Sequence, residues 1–161
     1  MRVEAGLLRT ERLHITLHHL GDFAHVPEVA VARACAAAAS IDVPPFRVTL
    51  DRVASFNGRP RHRPLVLTGS TGLDELIDLQ QRLGDALRGT GLLVSRARFT
   101  PHLTLLYGAG RFDPRTIGPI TWTVREFVLI HAGSLRRATT YKGCRWRSGT
   151  AQIRRHTVDV T

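Results

Sequence analysis

Apolar and polar side chains alternate along residues 13–20: Leu13, Ile15 and Leu17 take turns with His14, Thr16 and His18. A period of two marks a half-buried strand, and Gly21-Asp22 supplies its end. Residues 46–56 repeat the pattern, with Phe46, Val48 and Leu50 against Arg47, Thr49 and Asp51. Asn57-Gly58 is a turn signal, a basic loop with Arg59, Arg61 and Arg63 follows, and Leu65-Val66-Leu67-Thr68 is a short strand, so 46–68 predicts a hairpin. Further strands are expected within 92–107, over 122–131 and over 139–146, with weak strand character at 156–160. The alanine-rich run from Pro27 to Ala39 predicts a helix, with Val26, Val29, Arg33 and Ala36 near helical spacing. After Thr71-Gly72, the stripe Leu73, Leu76, Ile77, Leu83 and Leu87 predicts a second and clearer helix. Asp74 and Glu75 suit its positive end, and Gly89 and Gly91 close it.

One short pattern occurs twice. His14-Ile15-Thr16-Leu17 and His102-Leu103-Thr104-Leu105 share the order His, apolar, Thr, Leu, and each runs into a glycine, Gly21 and Gly108. On a strand, residues two apart face the same way, so each string presents an imidazole beside a hydroxyl while its apolar residues enter a core. The repeat predicts an α+β fold of two halves related by a pseudo-twofold axis, a single domain over 1–161 with a polar tail at 148–161. Two imidazoles on opposite sides of a cleft suit phosphodiester cleavage. One takes a proton from the attacking oxygen and the other gives one to the leaving oxygen. Histidine does either near neutral pH, its ordinary pKa being about 6.5. The hydroxyls of Thr16 and Thr104 can donate to non-bridging phosphate oxygens, where charge sits in the transition state.

Composition adds a partner class. The formal net charge is +10, supplied almost wholly by arginine, which pairs with phosphate through two parallel donors. Nucleic acid is the partner such a balance favours. No apolar run is long enough to span a bilayer, so no membrane partner is expected. The N-terminus lacks the apolar stretch of a secretory signal, and a cytoplasmic location is expected. Cys35 and Cys144 stand far apart in no metal or redox pattern, which predicts reduced thiols. His14 and His18 share a face of the first strand but lie about 13 Å apart along it, too far to share a metal ion. No metal and no cofactor are expected.

The two strings, with the flanks 13–21, 46–56, 63–67 and 99–107, resemble the paired HxTx motifs of the 2H phosphoesterase superfamily. Within it they are most similar to the bacterial 2′-5′ RNA ligase, or RNA 2′,3′-cyclic phosphodiesterase, family. The resemblance covers roughly residues 10–131. It implies two lobes, each a small antiparallel sheet flanked by helices, with the HxT strands facing a central groove. It implies opening of 2′,3′-cyclic phosphate ends of RNA or nucleotides to 2′-phosphates, with reversible 2′-5′ ligation. By position, His14 would protonate the leaving 3′ oxygen, His102 would activate water, and Thr16 and Thr104 would hold the phosphate. Phe56 and Tyr107 are candidates to stack on a base, Arg63 and Arg98 to meet the RNA backbone, and His18 to line the groove beyond Thr16. Two departures stand out. Family members usually carry an apolar strand and a helix before the first motif, whereas this chain starts almost at it. The polar tail also follows Arg145-Trp146 without a family counterpart. A monomer is expected, or a dimer if a second chain covers an open edge. The alternatives are a nucleotide- or RNA-binding module without turnover and a shortened, inactive family member. Intact His and Thr at both motifs argue against a pure binder.

Overall fold

The expected hairpin forms the centre of the main sheet: β1 (Phe46–Ser55) pairs antiparallel with β2 (Arg63–Thr71). The structure, a computed structural model, describes Leu8, Thr10 and residues 13–23, 27–132, 138–139 and 145–147. The second motif feeds β3 (Leu103–Gly108), which adds to the free side of β2. β4 (Arg115–Val124) adds to the free side of β1, giving a four-stranded antiparallel sheet in the order β3-β2-β1-β4. The alternation in β1 is realised: Val48 and Leu50 are buried while Arg47 and Arg52 are exposed.

One helix lies against this sheet and a second packs on that helix. α1 (Glu28–Ala39) and α2 (Leu73–Gly89) pack together, and α2 also touches β1 and β2. Gly72, at φ +75°, makes the left-handed turn from β2 into α2, where a Cβ would lie 1.8 Å from the Arg47 carbonyl oxygen. The apolar stripe of α2 buries Leu76, Leu79, Leu83 and Leu87. Asp78 and Arg82 pair on its wet side at 2.7 Å. α1 buries a different face from the one its spacing suggested. Ala34, Ala37 and Ala38 face the core, while Val29, Arg33 and Ala36 are exposed. The alanines let two helices approach closely, and that close approach outweighs the burial of one valine.

Two expected strands are corrected, and the one expected within 92–107 is shorter than that stretch. Residues 13–20 form no strand ladder among the described residues, although their burial alternates as far as Leu17. The strand expected at 122–131 breaks at Arg125: β4 stops at Val124, and β5 (Glu126–Val128) starts a second, two-stranded sheet. The stretch 92–102 is irregular, so the second His-Thr strand begins only at Leu103. β6 (His131–Ala132) pairs with β7 (Ala138–Thr139), and β5 pairs with β8 (Arg145–Arg147). The rest of the strand expected at 139–146, the strand-like 156–160 and the tail 148–161 lie outside the described residues. Cys35 is disulfide-bonded, which corrects the expected reduced thiol, because separation along the chain says nothing of separation in space. Cys144 lies outside the described residues. No described helix is long and apolar enough to cross a membrane.

Candidate active site

The two motifs are anchored in one core. Leu17 is buried in it, and Ile15, Leu103 and Leu105 pack against it. By alternation along β3, Thr104 takes the opposite side of the strand from Leu103 and Leu105, and His102 stands immediately before the strand. His14 and Thr16 are exposed, and His102 and Thr104 are half-buried.

The second motif is held by its own backbone. His102 sits just before β3, and its ring Nδ1 donates to the Thr100 carbonyl at 2.7 Å. A carbonyl only accepts, so Nδ1 carries the proton. In the neutral ring Nε2 is then left with a lone pair. Thr68 Oγ1 donates to the Pro101 carbonyl at 3.3 Å, tying the same turn to β2. The Phe56 ring lies against the imidazole, centroids 5.0 Å apart and planes tilted by 55°. Phe56 is itself placed by the hairpin, its amide donating to the Pro64 carbonyl at 3.0 Å.

Three expected substrate-binding residues gather around this end of the sheet. Phe56 touches His102, Arg63 pairs across from Gly108, and Tyr107 pairs across from Pro64. Tyr107 is 43% exposed and stacks on His62, centroids 4.3 Å apart and planes within 3°. Nothing local in the basic loop marks His62 as Tyr107's neighbour. Arg98 is exposed in the irregular stretch before β3 and makes no hydrogen bond or ion pair among the described residues.

His18 does not line a groove. It is 6% exposed, its ring faces α2, and Nε2 donates to the Gln80 carbonyl at 2.7 Å. Burial pushes its pKa below the usual histidine value; the Gln80 hydrogen bond opposes this and the Arg88 guanidinium reinforces it. The reason for the inward turn is space. A Cβ on Gly84 would come within 2.9 Å of the His18 ring, so the glycine leaves the pocket the imidazole occupies. The Gln80 side chain returns to the same segment, its Nε2 donating to the Leu17 carbonyl at 3.3 Å. Gln80 and Gly84 were missed by sequence reasoning. The available signal was a polar residue and a glycine four apart on the leucine stripe of α2. A mid-helix glycine costs about 0.5–1 kcal/mol against alanine and so points to a close approach. Among the described residues no three His, Cys, Asp or Glu side chains are grouped to hold a metal ion.

An α+β fold with a four-stranded antiparallel sheet, two helices and two His-x-Thr motifs is that of a 2H phosphoesterase. The sequence model of the 2′-5′ RNA ligase superfamily matches residues 3–134, and the chain belongs to that superfamily. E. coli LigT, solved with 3′-AMP, is 28% identical with a TM-score of 0.69, the match covering 91% of this chain and 82% of LigT. A solved protein described as a phosphoesterase is 27% identical with a TM-score of 0.71, covering 89% and 81%. A protein of Thermus thermophilus, 20% identical with a TM-score of 0.60 and coverage of 83% and 76%, shares the fold. No curated protein matches the chain. The family makes this an enzyme of the phosphoesterase type.

Proposed function

We propose that the protein is a metal-independent phosphodiesterase that opens 2′,3′-cyclic phosphate ends of RNA or nucleotides to 2′-phosphates, with reversible joining of 2′-5′ linkages. The observation that carries this reading is the state of His102. Its Nδ1–H is engaged by the Thr100 carbonyl, so in the neutral ring Nε2 is the acceptor a general base needs. In the proposed step His102 Nε2 takes a proton from water as the water oxygen bonds to phosphorus. The bond from phosphorus to the 3′ oxygen breaks, and His14 delivers a proton to that oxygen. The Thr16 and Thr104 hydroxyls donate to the two non-bridging oxygens. Because two imidazoles handle both protons, the step needs no metal-bound water. Phe56 and Tyr107 offer faces for a base, and Arg63 lies on the strand between them. That E. coli LigT has been solved with 3′-AMP and with NADP+ supports a nucleotide ligand at this site.

The test is turnover of a nucleoside 2′,3′-cyclic phosphate in excess chelator, with the product isomer identified. Chelator-resistant formation of the 2′-phosphate is expected. A 3′-phosphate product, or loss of turnover that added metal restores, overturns the mechanism.

A further inference from the structure

We infer that His18, bonded to Gln80 and seated on Gly84, is a positioning residue that fixes the first His-x-Thr motif. The inference rests on the reading of His14 as a catalytic group. The second motif runs into a strand paired with β2, but residues 13–23 form no ladder among the described residues. Burial of Leu17 and hydrogen bonds to α2 help to set their depth and rotation. Slipping an alternating segment by one residue would put His14 and Thr16 at the core face in place of Ile15 and Leu17.

Two hydrogen bonds from a single helical residue oppose that slip. The Gln80 side chain donates to the Leu17 carbonyl at 3.3 Å, and the next residue's ring donates back to the Gln80 carbonyl at 2.7 Å. In an α-helix that carbonyl already accepts the amide of the residue four positions on, which here is Gly84. The His18 ring takes its second lone pair. It reaches that lone pair only because Gly84 has no Cβ to stand in the way. Imidazole, carbonyl and glycine therefore form one device, and it holds the chain two residues past Thr16 and four past His14.

The charges facing the ring agree with this role. Arg88, one turn further along α2, approaches the same place, its Nη1 3.2 Å from where a Gly84 Cβ would lie. Arg88 is paired with Asp85 at 2.5 Å, and on the ring's own segment His19 pairs with Asp22 at 3.6 Å in solvent. A neutral ring donating through Nε2 fits beside that guanidinium, so the side chain serves as a fixed donor and takes no part in proton transfer.

The experiment uses the full chain with His18→Leu, His18→Gln and Gly84→Ala. Leucine fills the volume without a donor, glutamine restores a donor, and alanine pushes the ring off the helix. Two readouts are taken: amide hydrogen exchange over 13–20, and kcat and KM for a nucleoside 2′,3′-cyclic phosphate. His18→Leu and Gly84→Ala should speed exchange in 13–20. They should lower kcat by up to about 10²-fold, the size expected of a misplaced catalytic group, with KM little changed. His18→Gln should recover much of both. If His18→Leu does not melt cooperatively, Gln80→Leu, which removes only the bond to Leu17, is read the same way. Unchanged exchange in the folded variants, or no recovery with glutamine, overturns the clamp. Wild-type-like turnover in His14→Ala would instead overturn the catalytic reading and leave the exchange result standing.

Discussion

His102 and His14 are prepared differently, and the difference yields the first prediction. His102 has its tautomer set by the Thr100 carbonyl and its ring braced by Phe56, whereas His14 is exposed on a segment clamped from behind. In the proposed mechanism each carries one of two protons, so His14→Ala and His102→Ala should each lower kcat about 10²–10⁴-fold. Thr16→Ala and Thr104→Ala, which remove a single charge-stabilising donor, should cost about 10²-fold. Near-full activity in either histidine variant, against a clean background, would contradict the two-imidazole mechanism. His18 predicts a different pH effect, on stability. Its pKa is lowered on folding, so the unfolded chain binds the proton more readily. Above the ordinary histidine value both states are neutral and nothing is lost. As pH falls below about 6.5 the unfolded state gains a proton first, and stability declines until the folded value is reached. Melting temperature measured from pH 7.5 to 5 should therefore fall further in the wild type than in His18→Gln, and equal slopes would contradict this. The alternation was legible in the sequence as far as Leu17. The inward turn of His18 was not, because its partner carbonyl lies 62 residues away on a helix.

At the scale of elements, α2 joins the two motifs. Its leucine stripe supports the sheet that carries His102 and Thr104, and on the same side Gln80 and Gly84 hold the segment that carries His14 and Thr16. Leu83 and Leu79 are each 1% exposed at the centre of that stripe. Leu83→Ala should lower unfolding stability by about 2–5 kcal/mol, through lost burial and the cavity left behind. Val29→Ala, at a site 67% exposed on α1, should change it by no more than about 0.5 kcal/mol. Urea denaturation of the two variants tests the contrast, and equal losses would mean that the core is not centred on α2. This helix was legible because its stripe is long and strictly spaced. The face of α1 was not, because nearly every position is alanine or valine and hydrophobicity alone does not distinguish its faces. The break at Arg125 and the late start of β3 were hidden for a related reason: alternation marks which side chains face inward, while a strand's ends depend on whether a neighbour is there to pair.

At the scale of the whole molecule, charge is the property that the fold alone does not explain. The formal net charge is +10, and Arg59 and Arg61 stand exposed in the loop between β1 and β2, next to the strand end where Arg63 and Tyr107 lie. Arg96 and Arg98 are exposed just ahead of the second motif. The family and the α+β class were legible from two repeated tetrapeptides and their flanks. The use of these arginines was not, because a solvated arginine and one that waits for a phosphate look the same in sequence. Salt separates the two. Each phosphate contact releases condensed counterions, so for a single strand the logarithm of affinity falls with the logarithm of salt at a slope of about −0.7 per contact. Under the proposed function, an oligonucleotide ending in a 2′,3′-cyclic phosphate reaches beyond the two motifs and can engage the loop arginines, whereas a cyclic mononucleotide presents one phosphate to the motifs alone. Between about 50 and 200 mM salt, kcat/KM should therefore fall several-fold for the oligonucleotide and little for the mononucleotide. Replacing Arg59 and Arg61 together with glutamine should flatten the oligonucleotide slope by about 1.4, two contacts' worth, and leave the mononucleotide unchanged. Equal slopes for the two substrates in the wild type would mean that the basic surface serves solubility and composition rather than RNA.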